Sequence, residues 1–107
     1  MTGSINQNTT AMPYYVYILT NKTNKPKGVF YVGVTNNLQK RVFEHKQEMA
    51  IGFTKKYKVK NLAYYEIYDD VRDAISREKL VKKWRRSIKI EAIERINPEW
   101  KDLYFEL

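Results

Sequence analysis

The chain has 107 residues, 43% hydrophobic and 30% charged, which is the size and balance of one compact domain. Twenty Lys and Arg against twelve Asp and Glu leave a net charge of +8, an excess that favours a polyanionic partner. The absence of cysteine excludes disulfide partners, zinc knuckles, iron–sulfur clusters and thiol nucleophiles, and a single histidine, His45, excludes every multi-histidine metal site. Glycines stand only at 3, 28, 33 and 52, in neither a P-loop nor a dinucleotide fingerprint.

Residues 1–13 (MTGSINQNTTAMP) carry no Lys or Arg and no apolar block. They lack the makings of a signal peptide and are expected to be a flexible polar lead-in, with the chain staying in the cytoplasm. No apolar run approaches the twenty or so residues of a bilayer span, so no membrane partner is expected. Residues 14–107 hold no repeat or linker and are expected to form a single domain. Residues 14–19 (YYVYIL) and 29–34 (VFYVGV) are aromatic and β-branched, and predict a hairpin of two strands around the loop NKTNKPKG. Period-two alternation sets Tyr15 and Tyr17 on one face of the first strand, and Tyr31 and Gly33 on one face of the second.

Thr35, Asn36 and Asn37 are N-cap candidates for a helix over 38–50 ending near Gly52, with Leu38, Arg41, Val42, His45 and Met49 on one side. A basic loop or irregular strand follows, with Lys55, Lys56, Lys58 and Lys60, and then a third strand over 61–68 (NLAYYEIY). Asp69, Asp70 or Asp73 caps a long helix of roughly 71–95, whose apolar stripe is Val71, Ala74, Ile75, Val81 and Ile88. Asn97-Pro98 closes it, and the aromatic tail WKDLYFEL docks, with Trp84 and Trp100 as packing anchors.

One residue breaks the stripe. Glu78 falls at its centre, where a carboxylate is costly unless it holds a metal or is ion-paired with Arg41 or a neighbouring lysine. Around it, residues 77–89 (REKLVKKWRRSIK) carry seven basic side chains and one acid. With the lysines of 55–60, Lys82, Lys83, Arg85 and Arg86 are candidate contacts to a nucleic-acid backbone. Paired tyrosines, Arg41 with His45, and an inward Glu78 are together what a phosphodiester-cleaving site requires: a base for water, a cation for the developing charge, and a carboxylate for a divalent ion.

The ordered set Tyr15-Val16-Tyr17, Tyr31-Val32-Gly33, Thr35, Leu38, Arg41 and His45 resembles the GIY-YIG nuclease signature. Arg77-Glu78-Lys79 and Asn97-Pro98-Glu99-Trp100 are similar to the small standalone members, excinuclease-like or homing-endonuclease-like. Tyr15 departs from the usual glycine of the first triplet. The resemblance implies an α+β fold, a three-stranded antiparallel sheet flanked by helices. It implies an endonuclease that hydrolyses phosphodiester bonds in DNA with one Mg²⁺ or Mn²⁺, in repair or recombination, with a protein partner supplying specificity. Tyr17, Tyr31, Arg41, His45 and Glu78 take the catalytic positions, Glu78 holds the metal, and Gly33, Thr35 and Asn97 lie nearby. The base is left open among Tyr17, Tyr31 and His45. The rival reading is a noncatalytic nucleic-acid-binding or partner-docking module that keeps the fold.

Overall fold

A computed structural model describes residues 12–21, 28–47 and 57–107. Strands β1 (Tyr14–Thr20), β2 (Phe30–Thr35) and β3 (Asn61–Tyr68) pair antiparallel in the order β2-β1-β3. Helix α1 (Leu38–Lys46) follows β2; α2 (Val71–Lys83), α3 (Arg86–Ile96) and a 3₁₀ turn (Leu103–Glu106) follow β3. This is the α+β architecture expected, with each strand within a residue of its predicted bounds.

Side-chain alternation divides the core between the two faces of the sheet. Val16, Ile18, Val32 and Tyr64 pack with Ala74 and Val81 of α2, Ala92 and Ile93 of α3, and Trp100. Tyr17, Leu19 and Leu62 pack with Leu38 and Val42 of α1 and with Val59; Tyr31, Leu103 and Tyr104 lie against them. The register sets Tyr17 directly opposite Gly33, and Leu19 opposite Tyr31. Tyr17 and Tyr31 are therefore diagonal neighbours on one face.

The expected helix of 71–95 is in fact two. Trp84 and Arg85 are extended, at φ −61°, ψ 140° and φ −64°, ψ 158°, and the turn brings Ala92 and Ile93 back onto the core. Its stripe is also rotated: Val71 and Ile75 are exposed, and the buried side runs through Ala74, Glu78 and Val81, with Arg77 half-buried between them. Arg77 joins that side because its guanidinium bonds both oxygens of Glu66 on β3, at 2.9 Å each. Trp100 is buried and stacks on Phe30 at 6.0 Å, as an anchor should. The tail docks through Asp102, which pairs with Lys46 of α1 and accepts from the Leu62 amide at 3.0 Å.

Candidate active site

Local chemistry at the end of β2 aims the first helix. Thr35 Oγ1 accepts from the Asn37 amide at 3.1 Å, and Asn37 Oδ1 caps α1 by accepting from the Lys40 amide at 3.1 Å. The helix so started carries Arg41 and His45 one turn apart, on the side that faces the tyrosine strands.

Three aromatic rings meet there. The ring centroids of Tyr17 and Tyr31 lie 6.3 Å apart, those of Tyr17 and His45 6.4 Å, and those of Tyr31 and His45 5.6 Å. Gly33 makes the arrangement possible: a Cβ at that position would overlap the Tyr17 hydroxyl and Cζ, so the phenol lies across bare backbone. The Tyr17 hydroxyl and both His45 ring nitrogens are buried with no hydrogen-bond partner among the described residues. Buried polar groups are rarely left so, and a bound water, ion or substrate could supply partners to all three.

Electrostatics set their protonation. Burial pushes the Tyr17 hydroxyl up to about 12, although Arg41 beside it, short of a well-aligned hydrogen bond, pulls the other way. Burial, helped by the Arg41 charge, lowers His45 below its ordinary 6.5. At neutral pH the cluster thus holds a protonated phenol and a neutral imidazole. Arg41 stands at the rim rather than inward, its side chain 42% exposed and its Nε 3.7 Å from Glu44 Oε1. A polar cleft of about 190 Å³ opens beside it, lined by Thr35, Asn36, Asn37, Lys40, Arg41 and Glu44. A wider one, about 400 Å³ and lined in part by Tyr15, Tyr65 and Leu107, includes none of the three rings and has no comparable set of unpaired groups.

Helix α2 packs against β1 and β2 and supplies the carboxylate. Glu78 is 8% exposed, as the broken stripe implied, but it is not unpaired: Lys82 Nζ, one turn on, lies 2.6 Å from its Oε2. The pair borders the rings electrically, since Glu78 contributes to raising Tyr17, and Lys82 is raised first by Glu78 and in smaller part by Tyr31. Among the described residues no three His, Cys, Asp or Glu side chains form a metal cage. One carboxylate is nonetheless what Mg²⁺ commonly takes from a protein when substrate phosphate and water complete its shell, so Glu78 fits that ion.

The other predicted residues divide. Lys82, Lys83, Arg85 and Arg86 are exposed along the end of α2 and the start of α3, where Arg86 lies over the Phe30 ring at 4.5 Å. Lys58 is exposed; Lys55, Lys56, Met49 and Gly52 lie outside the described residues, as does the end of the helix expected to reach residue 50. Asn97 is committed elsewhere: its Nδ2 donates to the carbonyls of Ala63 at 3.0 Å and Lys101 at 2.9 Å, and its Oδ1 accepts from the Lys101 amide at 3.0 Å. It ties the end of α3 to β3 and the tail. Sequence reasoning missed the Glu66–Arg77 bolt, which fixes the helix turn adjoining Glu78. The alternation of Tyr64, Glu66 and Tyr68 on one strand face was the available signal.

The model of the GIY-YIG catalytic domain matches residues 13–91, and the chain belongs to the GIY-YIG family, whose domain implies a nucleic-acid substrate. It is 37% identical over 79 residues to UPF0213 protein CPE1444 of Clostridium perfringens, covering 74% of this chain and 81% of that one. A UPF0213 protein of Syntrophus aciditrophicus is 34% identical over 88 residues, 79% of this chain and 93% of the relative. The solution structure of UPF0213 protein BH0048 from Bacillus halodurans shares the fold at a TM-score of 0.52 and 23% identity, over 85% of this chain and 93% of that one. No helix among the described residues is long and apolar enough to cross a membrane.

Proposed function

We propose that the protein is a divalent-metal-dependent endonuclease that hydrolyses phosphodiester bonds in DNA. The observation that carries the reading is the set of three buried polar atoms on Tyr17 and His45 that have no hydrogen-bond partner among the described residues, beside the Arg41 guanidinium. A water and a phosphate would supply the missing partners.

In this reading His45, neutral at neutral pH, accepts the proton of the attacking water. Tyr17 stays protonated and donates a hydrogen bond to that water or to a phosphate oxygen. Tyr31 holds the imidazole ring at its angle. Arg41, at the mouth of the polar cleft, gives two parallel hydrogen bonds to phosphate oxygens, strongest as charge builds on them. Glu78 would hold the ion, Mg²⁺ or Mn²⁺, which when bound polarises the phosphate and steadies charge on the leaving 3′ oxygen. Lys82, Lys83, Arg85, Arg86 and Lys58, with Lys55 and Lys56 of the adjoining segment, attract the DNA backbone. Repair or recombination, with a protein partner adding specificity, is the setting such a small domain suits.

The rival, a binding module without turnover, is favoured by one feature, that Glu78 already has a counter-ion. Plasmid nicking in Mg²⁺ or Mn²⁺ beside filter binding separates the two. Wild type should cleave, and Glu78→Gln should fold with an unchanged melting temperature to within a few degrees and lose metal-dependent cleavage. Full cleavage by a folded Glu78→Gln protein overturns the metal assignment. Binding without cleavage across nicked, branched, single-stranded and duplex DNA selects the rival.

A further inference from the structure

We propose that Lys82 acts as an exchangeable counter-ion: it covers Glu78 while the site is free, and transfers to a DNA phosphate when DNA arrives, releasing the carboxylate to the metal. The inference rests on the nuclease reading of the same site and adds to it an order of assembly.

Three observations carry it. The ion pair is close, with Nζ 2.6 Å from Oε2, and lies one helical turn along α2. Its members differ sharply in exposure: the Glu78 side chain is 11% accessible and the Lys82 side chain 55%. The carboxylate is thus fixed in the protein, whereas the ammonium sits on a flexible stem in solvent and is free to swing without disturbing the core. Finally, the described residues provide no cage of three or more metal-ligating side chains. A lone carboxylate binds a hard divalent ion weakly, and more weakly still while an ammonium competes for it.

DNA changes both sides of that competition. A phosphate supplies oxygens to the ion and offers Lys82 a new anion, and Lys83, Arg85 and Arg86 on the adjoining surface bring the backbone close. Metal and DNA then each improve the other's binding, and the coupling is reciprocal because it is a property of one equilibrium. The consequence is a nuclease that holds little metal until substrate is present. The exposure of the Lys82 ammonium keeps the effect moderate, because solvent screens its charge.

The test has two arms, neither of which reads cleavage. In the first, Mn²⁺ is titrated into DNA-free protein and free Mn²⁺ is counted by electron paramagnetic resonance. Lys82→Met, which keeps the stem and removes the charge, should bind Mn²⁺ about two- to fivefold more tightly than wild type, the range expected when one solvent-screened competing charge is lost. Glu78→Gln should lose the site. Unchanged or weaker binding by Lys82→Met overturns the proposal, and Lys82→Gln serves if the methionine variant does not fold.

In the second arm, affinity for a fluorescent DNA duplex is measured in EDTA for wild type, Glu78→Gln, Lys82→Met and the double variant. Exchange requires Glu78→Gln to bind DNA several-fold more tightly only where Lys82 is present, because the gain comes from a freed ammonium. A gain of equal size in the Lys82→Met background means simple removal of a repelling charge, and also overturns the proposal. Failure in either arm, with Glu78→Gln still inactive in cleavage, removes the exchange and leaves the nuclease. A Glu78→Gln protein that cleaves removes Glu78 as the metal holder, and a wild type that binds DNA without cleaving it removes the nuclease assignment itself.

Discussion

The two faces of the sheet solve the same problem in opposite ways. On one, Glu66 is half-buried between tyrosines and both of its oxygens are engaged: Arg77 bonds both at 2.9 Å, Tyr68 donates to Oε1 at 2.6 Å, and Tyr64 donates to Oε2. Burial pushes its carboxyl upward, yet those bonds outweigh burial and hold it below the ordinary carboxylate range. On the other face Tyr17 and His45 are more deeply buried, and the Tyr17 hydroxyl and both His45 ring nitrogens have no well-aligned hydrogen-bond partner among the described residues. A satisfied polar network fixes a scaffold, while an unsatisfied one carries a cost that a bound water, ion or ligand can return. The first face locates α2 and with it Glu78; the second carries the tyrosines and His45.

The sharpest way to break the contrast is His45→Phe. The tilted ring contacts with Tyr17 and Tyr31 are kept, and two unsatisfied nitrogens disappear. Single-turnover cleavage should fall by about 10²- to 10⁴-fold, the range for losing a general base. The melting temperature should hold or rise, since removing a buried unpaired polar group relieves its desolvation cost. A variant that loses stability and activity together would make His45 a structural residue.

Arg41→Lys comes next. Lysine keeps the charge at the rim of the cleft and loses the planar fork. Turnover should drop on the order of a hundredfold, as for an oxyanion donor, with DNA affinity little changed because the basic surface supplies most of the attraction. Equal loss of binding and cleavage would reduce Arg41 to an ordinary phosphate contact.

Arg77→Met is the matching test of the scaffold face. It strands the Glu66 carboxylate beside two tyrosines, and the domain should lose about 3 kcal/mol in urea denaturation. At temperatures where it remains folded, His45 and Arg41 are untouched, and cleavage should fall far less than in the first two variants. A cleavage loss as large as that of His45→Phe would mean that the bolt belongs to the site.

Sequence pattern carried most of this layout, and its failures have physical causes. The strands and the shared face of Tyr17 and Tyr31 follow from period-two alternation, which any half-buried sheet must show. The helix break at Trp84 and Arg85 contains no glycine, proline or capping side chain, so the apolar period runs on across it unmarked. The stripe of α2 was misphased because Val71 and Ile75 carry apolar weight without burial, whereas Arg77 is half-buried by pairing with a residue eleven positions away. Strand alternation shows the face on which Glu66 stands, but its pairing with Arg77 depends on how α2 packs on the sheet. The Lys82 pair was legible as a spacing of four on a helix, and Gly33 was legible only as a motif letter; its reason, the Tyr17 phenol lying over it, needed the register.

The smallest effect compares the two faces through pH. His45 is the chain's one histidine, so stability changes just below pH 6.5 belong to it. Its pKa is lowered in the folded state, so as pH falls the unfolded chain takes up a proton first, and stability is lost on acidification below 6.5. Glu66 is also depressed, but its contribution is lost only as pH falls below the ordinary carboxylate value of 4.5. Melting temperatures from pH 8 to 3 should therefore show two descending steps in wild type. His45→Phe should erase the upper step alone. The same group sets the rate profile: with His45 as base, cleavage stays level to below pH 6.5 before it falls. Were Tyr17 the base, with its hydroxyl near 12, the rate would instead climb throughout the alkaline range, and that profile would move the proton acceptor from the helix to the strand.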